Sequence, residues 1–461
     1  MTKTLSHPTV SPARAAAFDI LLRVLRDSSY ASELLHSGNY ASLSVLDHSL
    51  TTELVMGTLR WQRVLDVAIA ESSSQSLSKM DAEVLIALRI AVYQLLFLNR
   101  IPPRAAINES VELVKRARKR SAASFVNAVL RKIASRSKNV ASPLPDITGD
   151  NADALAASGS HPLWLVERWT QAYGLEATRS ICTYDQTAPV TAIRLRGAEA
   201  EAHLLAEGIE LEPGALLTSA RRVQHGAISN SATLRSGECV IQDEASQLVA
   251  MLVGRGGQIL DCCAAPGGKT LALADRNPPA FLVANELHPH RARLLRRLIG
   301  AGFHRADEVK SINVVAADAR HLPFLASFDR ILADVPCSGT GTLARNPEIK
   351  WRLTLSDILD LQKRQMEILQ SAMKQVALGG RVIYSTCSLE REENEEVVEK
   401  SLLQNSSFRV IDCASELDRL RRDGKLNWTD LSSLTSGPYL RTLPGIHPCD
   451  GFFAAILERT E

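Results

Sequence analysis

A chain of 461 residues, 45% hydrophobic and 23% charged, exceeds one ordinary domain and has the make-up of a water-soluble globular protein. It contains no apolar run of the length that spans a bilayer, and its first residues lack the apolar core and cleavage site of a secretory signal, so a cytoplasmic protein without a membrane partner is expected. The net charge of +2 hides an asymmetry: residues 1–150 carry 19 Lys and Arg against 13 Asp and Glu, which leaves the remainder at −4.

The eight cysteines are spread too thinly for a disulfide framework and show no paired metal-knuckle spacing, so free thiols and no metal are expected. A basic knot, Lys115, Arg116, Arg118, Lys119 and Arg120, suits either nucleic-acid phosphates or a solvated helix end.

Taken in chain order, residues 10–135 read as helices almost throughout. Ala17, Ile20, Leu21 and Val24 recur at helical spacing, the pattern repeats from Met80 to Leu98 and from Ile107 to Val114, and Pro102-Pro103 breaks the chain between two helices. Five to seven helices in an all-α bundle are predicted, giving a domain at 8–138. Residues 139–160 are small and polar and are expected to form a linker. An amphipathic helix carrying Trp164 and Trp169 opens a small α+β module at 161–238, whose strand-like pieces are Val190–Arg196 and Cys239–Asp243.

From 239 to 461 short apolar runs alternate with helical segments, and most runs end in an acidic residue: Asp261, Glu286, Asp318 and Asp334. Such alternation predicts an α/β domain with a doubly wound, mostly parallel, Rossmann-like sheet that binds ligands beyond the carboxyl ends of its strands. The first of those ends continues as Cys262, Cys263, Ala264, Ala265, Pro266, Gly267, Gly268 and Lys269, a strand-to-helix turn whose glycines admit a ligand close to backbone N–H groups. It is not a phosphate-binding P-loop, because Cys263 stands where that motif needs its first glycine. Glu286 and Asp318 are each open to a helix-cap reading, but three acids after three strands favour a nucleoside pocket.

Two cysteines complete the pattern. Asp334-Val-Pro-Cys337-Ser-Gly-Thr-Gly and Tyr384-Ser-Thr-Cys387-Ser each follow a strand, and the second precedes an acidic helix whose N-terminus would favour a thiolate. A thiolate adding to carbon 6 of cytosine makes carbon 5 nucleophilic enough to accept a methyl group, with Asp334 as the acid near N3. Spacing alone does not say which cysteine attacks.

These motifs, with Glu393-Asn394-Glu395, Arg345-Asn-Pro-Glu-Ile-Lys350-Trp351 and Asp450-Gly-Phe-Phe-Ala-Ala, resemble the NOL1/NOP2/Sun family of RNA cytosine-5 methyltransferases. Leu54–Arg60, Ala106–Leu113 and Phe125–Arg131 resemble a NusB-like RNA-binding domain, the arrangement of bacterial family members that methylate a cytosine of 16S ribosomal RNA. The resemblance implies S-adenosyl-L-methionine as cofactor, held by Cys263 through Lys269, Glu286, Asp318 and Asp334. It also implies Cys387 as nucleophile, Cys337 in product release, and RNA as partner; a monomer is expected separately. A transfer-RNA methyltransferase of the same family, and a non-catalytic RNA-binding factor, are the rival readings.

Overall fold

The computed structural model describes residues 10–137, 146–278, 280–302, 312–325 and 327–461. The chain folds as two compact units, one of Met1–Ala188 with Leu343–Arg352 and the other of Pro189–Thr342 with Leu353–Glu461.

The first unit is all-helical among the described residues. Seven α-helices run from Pro12–Asp27 to Ala123–Ser137, and Pro12 and Pro103 stand in first turns, where a missing N–H costs nothing. Their apolar faces meet around Leu54, Leu88, Ile90, Leu113 and Leu130, all fully buried, with the Phe97 ring stacked on Trp61 and Tyr93. Gly57 is required here by contact, because a Cβ at this position would overlap the Tyr93 ring, whose hydroxyl is held by Glu53. Gly57→Ala is therefore expected to cost about 3 kcal/mol through overpacking, read as a lower denaturation midpoint of the helical unit with an unchanged denaturant slope.

Two expectations change here. The segment expected as a linker carries a helix at Ala152–Ser158, capped by the Asn151 side chain on Ala154 N–H at 2.9 Å. Residues 139–145 of that stretch, with 8–9 and 138 of the expected first domain, lie outside the described residues. The Arg345–Trp351 motif, grouped by sequence with the sheet domain, packs in the helical unit. Lys350 Nζ donates to the Arg60 carbonyl at 3.1 Å, Trp351 Nε1 to Leu59 O at 2.6 Å, and Glu348 accepts the Ala31 N–H at 2.9 Å. Burial pushes the Lys350 ammonium down to about 7, against a smaller opposing pull from Asp185.

In the second unit, strands β1 (Thr191–Leu195), β2 (Glu210–Pro213), β3 (Ala220–His225) and β4 (Cys239–Ile241) form an antiparallel sheet in the order β2-β3-β1-β4. The pair β2–β3 was not legible in the sequence, since Arg-Arg-Val-Gln-His lacks apolar alternation.

The larger sheet holds β5 (Gln258–Asp261), β6 (Phe281–Glu286), β7 (Ile312–Ala316), β8 (Phe328–Asp334) and β9 (Val376–Thr386) in the parallel order β7-β6-β5-β8-β9. Ile259, Leu260, Ile331, Leu332, Val382 and Ile383 are fully buried, as expected for strands covered on both faces. Three later strands, β10 (Phe408–Ile411), β12 (Tyr439–Thr442) and β13 (Phe452–Arg459), with the short β11 (Thr435–Ser436), extend the sheet antiparallel beyond β9. The pairing of Phe453 with Thr386 and Ala454 with Ser385 fixes the end of β9, and so the start of the loop that bears Cys387. The chain crosses between halves of the sheet at β5 and β8, so the loops after these strands diverge and open a crevice at their carboxyl ends. No helix among the described residues is long and apolar enough to cross a membrane.

Candidate active site

Four loops meet at the carboxyl edge of the parallel strands. After β5 the chain runs through Cys262–Gly267 into the helix Gly268–Arg276. Gly267 adopts φ 117°, a conformation that strains any L side chain, and an added Cβ would also lie 2.7 Å from Leu295 Cδ1. The loop is anchored by Cys262 N–H on Leu332 O at 2.9 Å and Ala264 N–H on Asn285 O at 2.8 Å. Asn285 is a site residue that sequence reasoning missed. Its fully buried amide donates to Cys262 O at 2.9 Å and Ala317 O at 3.0 Å, tying the loops after β5, β6 and β7 together.

Cys262 is fully buried behind the loop, and burial raises both its thiol and that of Cys263 well above the ordinary range. Neither thiol is therefore poised to ionise near neutrality. Asp261, at the foot of the same loop, is pushed up to about 7 by burial, although the Thr270 hydroxyl donates to it at 2.7 Å.

Glu286 ends β6, 5% exposed, with Oε1 accepting His288 N–H at 3.0 Å and Arg291 at a looser 3.8 Å. Asp318 behaves differently. It caps the turn Ala319–His321 by accepting Arg320 N–H at 3.0 Å, and the Arg320 guanidinium pairs with it at 2.7 Å, holding its carboxyl below the usual range. Asp318 thus lies two residues past the end of β7 at Ala316 and takes the cap reading.

The groups expected to react lie after β8 and β9. Lys269, at the start of the helix after β5, forms an ion pair with Asp334 Oδ2 at 2.8 Å, while the Ser385 hydroxyl donates to Asp334 Oδ1 at 2.7 Å. Burial opposes the Lys269 charge, but Asp334, with smaller help from Cys387 and Asp261, outweighs it and raises the ammonium above its ordinary range. The Phe452 ring stacks beneath it at 5.0 Å. The sequence joined Lys269 to the glycine turn, and its link to Asp334 appears only in three dimensions.

Cys337 and Cys387, 50 positions apart in sequence, bring their sulfurs to 3.2 Å. A disulfide would need about 2.05 Å, so these are two free thiols in contact. The hydrogen bond with Cys387, then burial, then the charge of Glu393 raise the Cys337 thiol well above its ordinary value. The helix expected to follow Cys387 begins only at Glu395, beyond a turn at Arg391–Glu393, so the cation interacting with Cys387 is Lys269 rather than a helix N-terminus. Among the described residues no group of three or more His, Cys, Asp or Glu is arranged to hold a metal ion.

A doubly wound sheet with a glycine turn after its first strand, an acid at the end of its second and free thiols after its fourth and fifth defines a Rossmann-like methyltransferase. The chain matches the model of the 16S rRNA methyltransferase RsmB/F family over residues 250–458 and that of the NusB family over residues 11–135. It is 34% identical to a probable ribosomal RNA small subunit methyltransferase B of Bacillus subtilis, over 97% of this chain and 98% of the relative. It is also 30% identical to the ribosomal RNA small subunit methyltransferase B of Pseudomonas putida, over 89% and 92% of the two chains. The chain belongs to the RsmB/F methyltransferase family. The crystal structure of PH0851 shares the fold, with a TM-score of 0.78 at 22% identity over 98% of this chain and all of the other.

Proposed function

We propose that this enzyme transfers a methyl group from S-adenosyl-L-methionine to carbon 5 of one cytosine in 16S ribosomal RNA through a covalent Cys387–cytosine adduct. The observation that carries the reading is the meeting of two free thiols, 3.2 Å apart, beside the Lys269–Asp334 ion pair at the open end of a parallel sheet. The substrate follows from the relatives, which are named for the small ribosomal subunit and match nearly the whole chain.

The residues present fit the cofactor. Glu286 is a buried carboxylate at a strand end where ribose hydroxyls would donate. A Cβ at Gly268 would meet nothing closer than 3.7 Å, so the turn leaves room for a ligand against backbone. Asp318, already held by Arg320, would serve the adenine side, and Cys263 through Lys269 the methionine side. S-adenosyl-L-methionine supplies an electrophilic methyl group on a sulfonium ion.

The chain's own groups do the rest. Cys387 as thiolate forms an S–C6 bond, and the displaced π pair moves toward N3, which takes a proton from the Lys269 ammonium relayed through its paired Asp334 carboxylate, making carbon 5 an enamine carbon able to take the methyl. Lys269 keeps Asp334 in place. Loss of the carbon-5 proton to a base then restores the ring double bond and expels Cys387 with its electron pair, and N3 returns its proton through Asp334 to Lys269. Cys337, a thiol against that sulfur, donates a hydrogen bond to it as it leaves. The base must leave its stack to reach these groups.

RNA affinity is assigned to the helical unit, with one revision. Lys115 pairs with Glu112 at 2.7 Å, Lys119 with Asp81 at 3.0 Å and Arg116 with Asp19 at 3.8 Å, whereas Arg118 and Arg120 are exposed and pair with no carboxylate among the described residues. Arg118→Gln/Arg120→Gln is expected to flatten the slope of log affinity against log salt by about 1.5, two phosphates' worth. Filter binding across a salt series measures this, and an unchanged slope would return the knot to a solvated helix end.

The direct test of function incubates the enzyme with labelled S-adenosyl-L-methionine and either 16S ribosomal RNA or transfer RNA, then analyses nucleosides by mass spectrometry. 5-Methylcytidine in 16S RNA alone is expected. The label in transfer RNA, or on another nucleoside, would overturn the substrate or the position.

A further inference from the structure

The two thiols sit on different loops and must act on adjacent atoms of one ring, so something has to hold those loops in register. One buried side chain does so. Glu393, fully buried, accepts four hydrogen bonds: from Ser338 N–H at 2.8 Å, Gln365 Nε2 at 2.8 Å, the Ser388 hydroxyl at 2.5 Å and the Ser338 hydroxyl. Ser338 follows Cys337 and Ser388 follows Cys387, so a single carboxylate grips the residue next to each thiol. The two serine hydroxyls are themselves 3.0 Å apart.

Glu393 is in turn fixed from both sides. The Tyr384 hydroxyl donates to its carbonyl at 2.5 Å. The next residue, Asn394, accepts the Thr386 hydroxyl at 2.5 Å and donates to Ser388 O at 2.9 Å. Its own donors come from β8's loop, from β9's loop and, through Gln365, from the helix Leu355–Met373, whose amide also reaches Pro336 O at 2.9 Å.

Burying a carboxylate is costly, and apolar residues of similar volume commonly serve stability as well. A carboxylate with all its acceptor positions filled instead gives exact geometry, because each bond is charge-assisted and directional. We propose that Glu393 is the positioning residue of the catalytic centre: it clamps the Pro-Cys and Thr-Cys loops together so that Cys337 and Cys387 face the same base. This rests on the two-thiol reading above. Its negative charge has a second effect, since it contributes to keeping Cys337 a thiol while Cys387 attacks.

The test is Glu393→Gln, which keeps shape but turns one acceptor oxygen into a donor facing donors. Single-turnover methyl transfer is expected to fall at least about thirtyfold, roughly 2 kcal/mol at 1.36 kcal/mol per tenfold, while KM for S-adenosyl-L-methionine and for RNA stays within about threefold. A merely structural role would lower the melting temperature and leave kcat of the folded fraction unchanged, and that result would overturn the proposal. Should Glu393→Gln not fold, Ser338→Ala/Ser388→Ala removes the gripped hydroxyls and leaves the carboxylate. The same split between kcat and KM is expected, and wild-type kcat in that variant would overturn the proposal equally. Wild-type enzyme and Cys387→Ala are run beside them. If Cys387→Ala methylates normally, the two-thiol reading fails; if only the Glu393 and serine variants are normal, the clamp fails alone.

Discussion

Cys387→Ala is expected to lower methyl transfer by about 10³-fold or more, ~4 kcal/mol in the barrier. Without the thiolate, carbon 5 stays too poor a nucleophile to take a methyl group. The contacts assigned to the adenosine and methionine parts of S-adenosyl-L-methionine lie in the loops after β5, β6 and β7, on other loops than Cys387, so cofactor affinity should change by no more than ~0.5 kcal/mol. Calorimetric titration with the cofactor checks that half. A second consequence can be read by alkylation. The largest cause of the raised Cys337 thiol is its hydrogen bond with Cys387, so removing Cys387 should lower the pH at which Cys337 reacts with iodoacetamide. Methyl transfer surviving at more than a few per cent of wild type would remove Cys387 from the nucleophile's role.

Cys337→Ala should fail later in the cycle. Attack and methylation need Cys387, Asp334 and Lys269, all left in place, whereas expulsion of the Cys387 sulfur loses its hydrogen-bond donor. The expected result is an accumulating protein–RNA adduct that resists denaturing electrophoresis, with net turnover reduced about 10²-fold or more, ~3 kcal/mol. The double variant Cys337→Ala/Cys387→Ala should give none. An adduct in the double variant would mean that the roles of the two thiols are wrongly assigned.

Much of this centre is visible before folding because parallel strands announce themselves. Their buried apolar runs end where the sheet ends, so Asp261, Glu286 and Asp334 fall at strand termini in the structure as in the sequence reading. The Pro-Cys and Thr-Cys turns are local features as well, and both thiols reach one point. What stays hidden is the set of links between loops. Lys269 pairs with Asp334, 65 positions on, and Asn285 and Glu393 each bridge separate loops. Buried polar residues in an acidic stretch, such as Glu390, Glu393 and Asn394, look in sequence like a solvated surface. The packing of Lys350 on the Arg60 carbonyl, across 290 positions, was hidden for the same reason: periodicity reports which face is buried, never against what. Charge density at Lys115–Arg120 likewise does not show that three of the five cations already have carboxylate partners.

The most direct measurement is bisulfite sequencing of 16S ribosomal RNA from a strain lacking this gene, complemented with wild type or with Cys387→Ala. One cytosine protected from deamination in wild type should lose its protection in the deletion strain, regain it with the wild-type gene and stay unprotected with Cys387→Ala. A 16S pattern identical in all four strains, or protection restored by Cys387→Ala, would contradict a thiol-dependent 16S ribosomal RNA cytosine-5 methyltransferase.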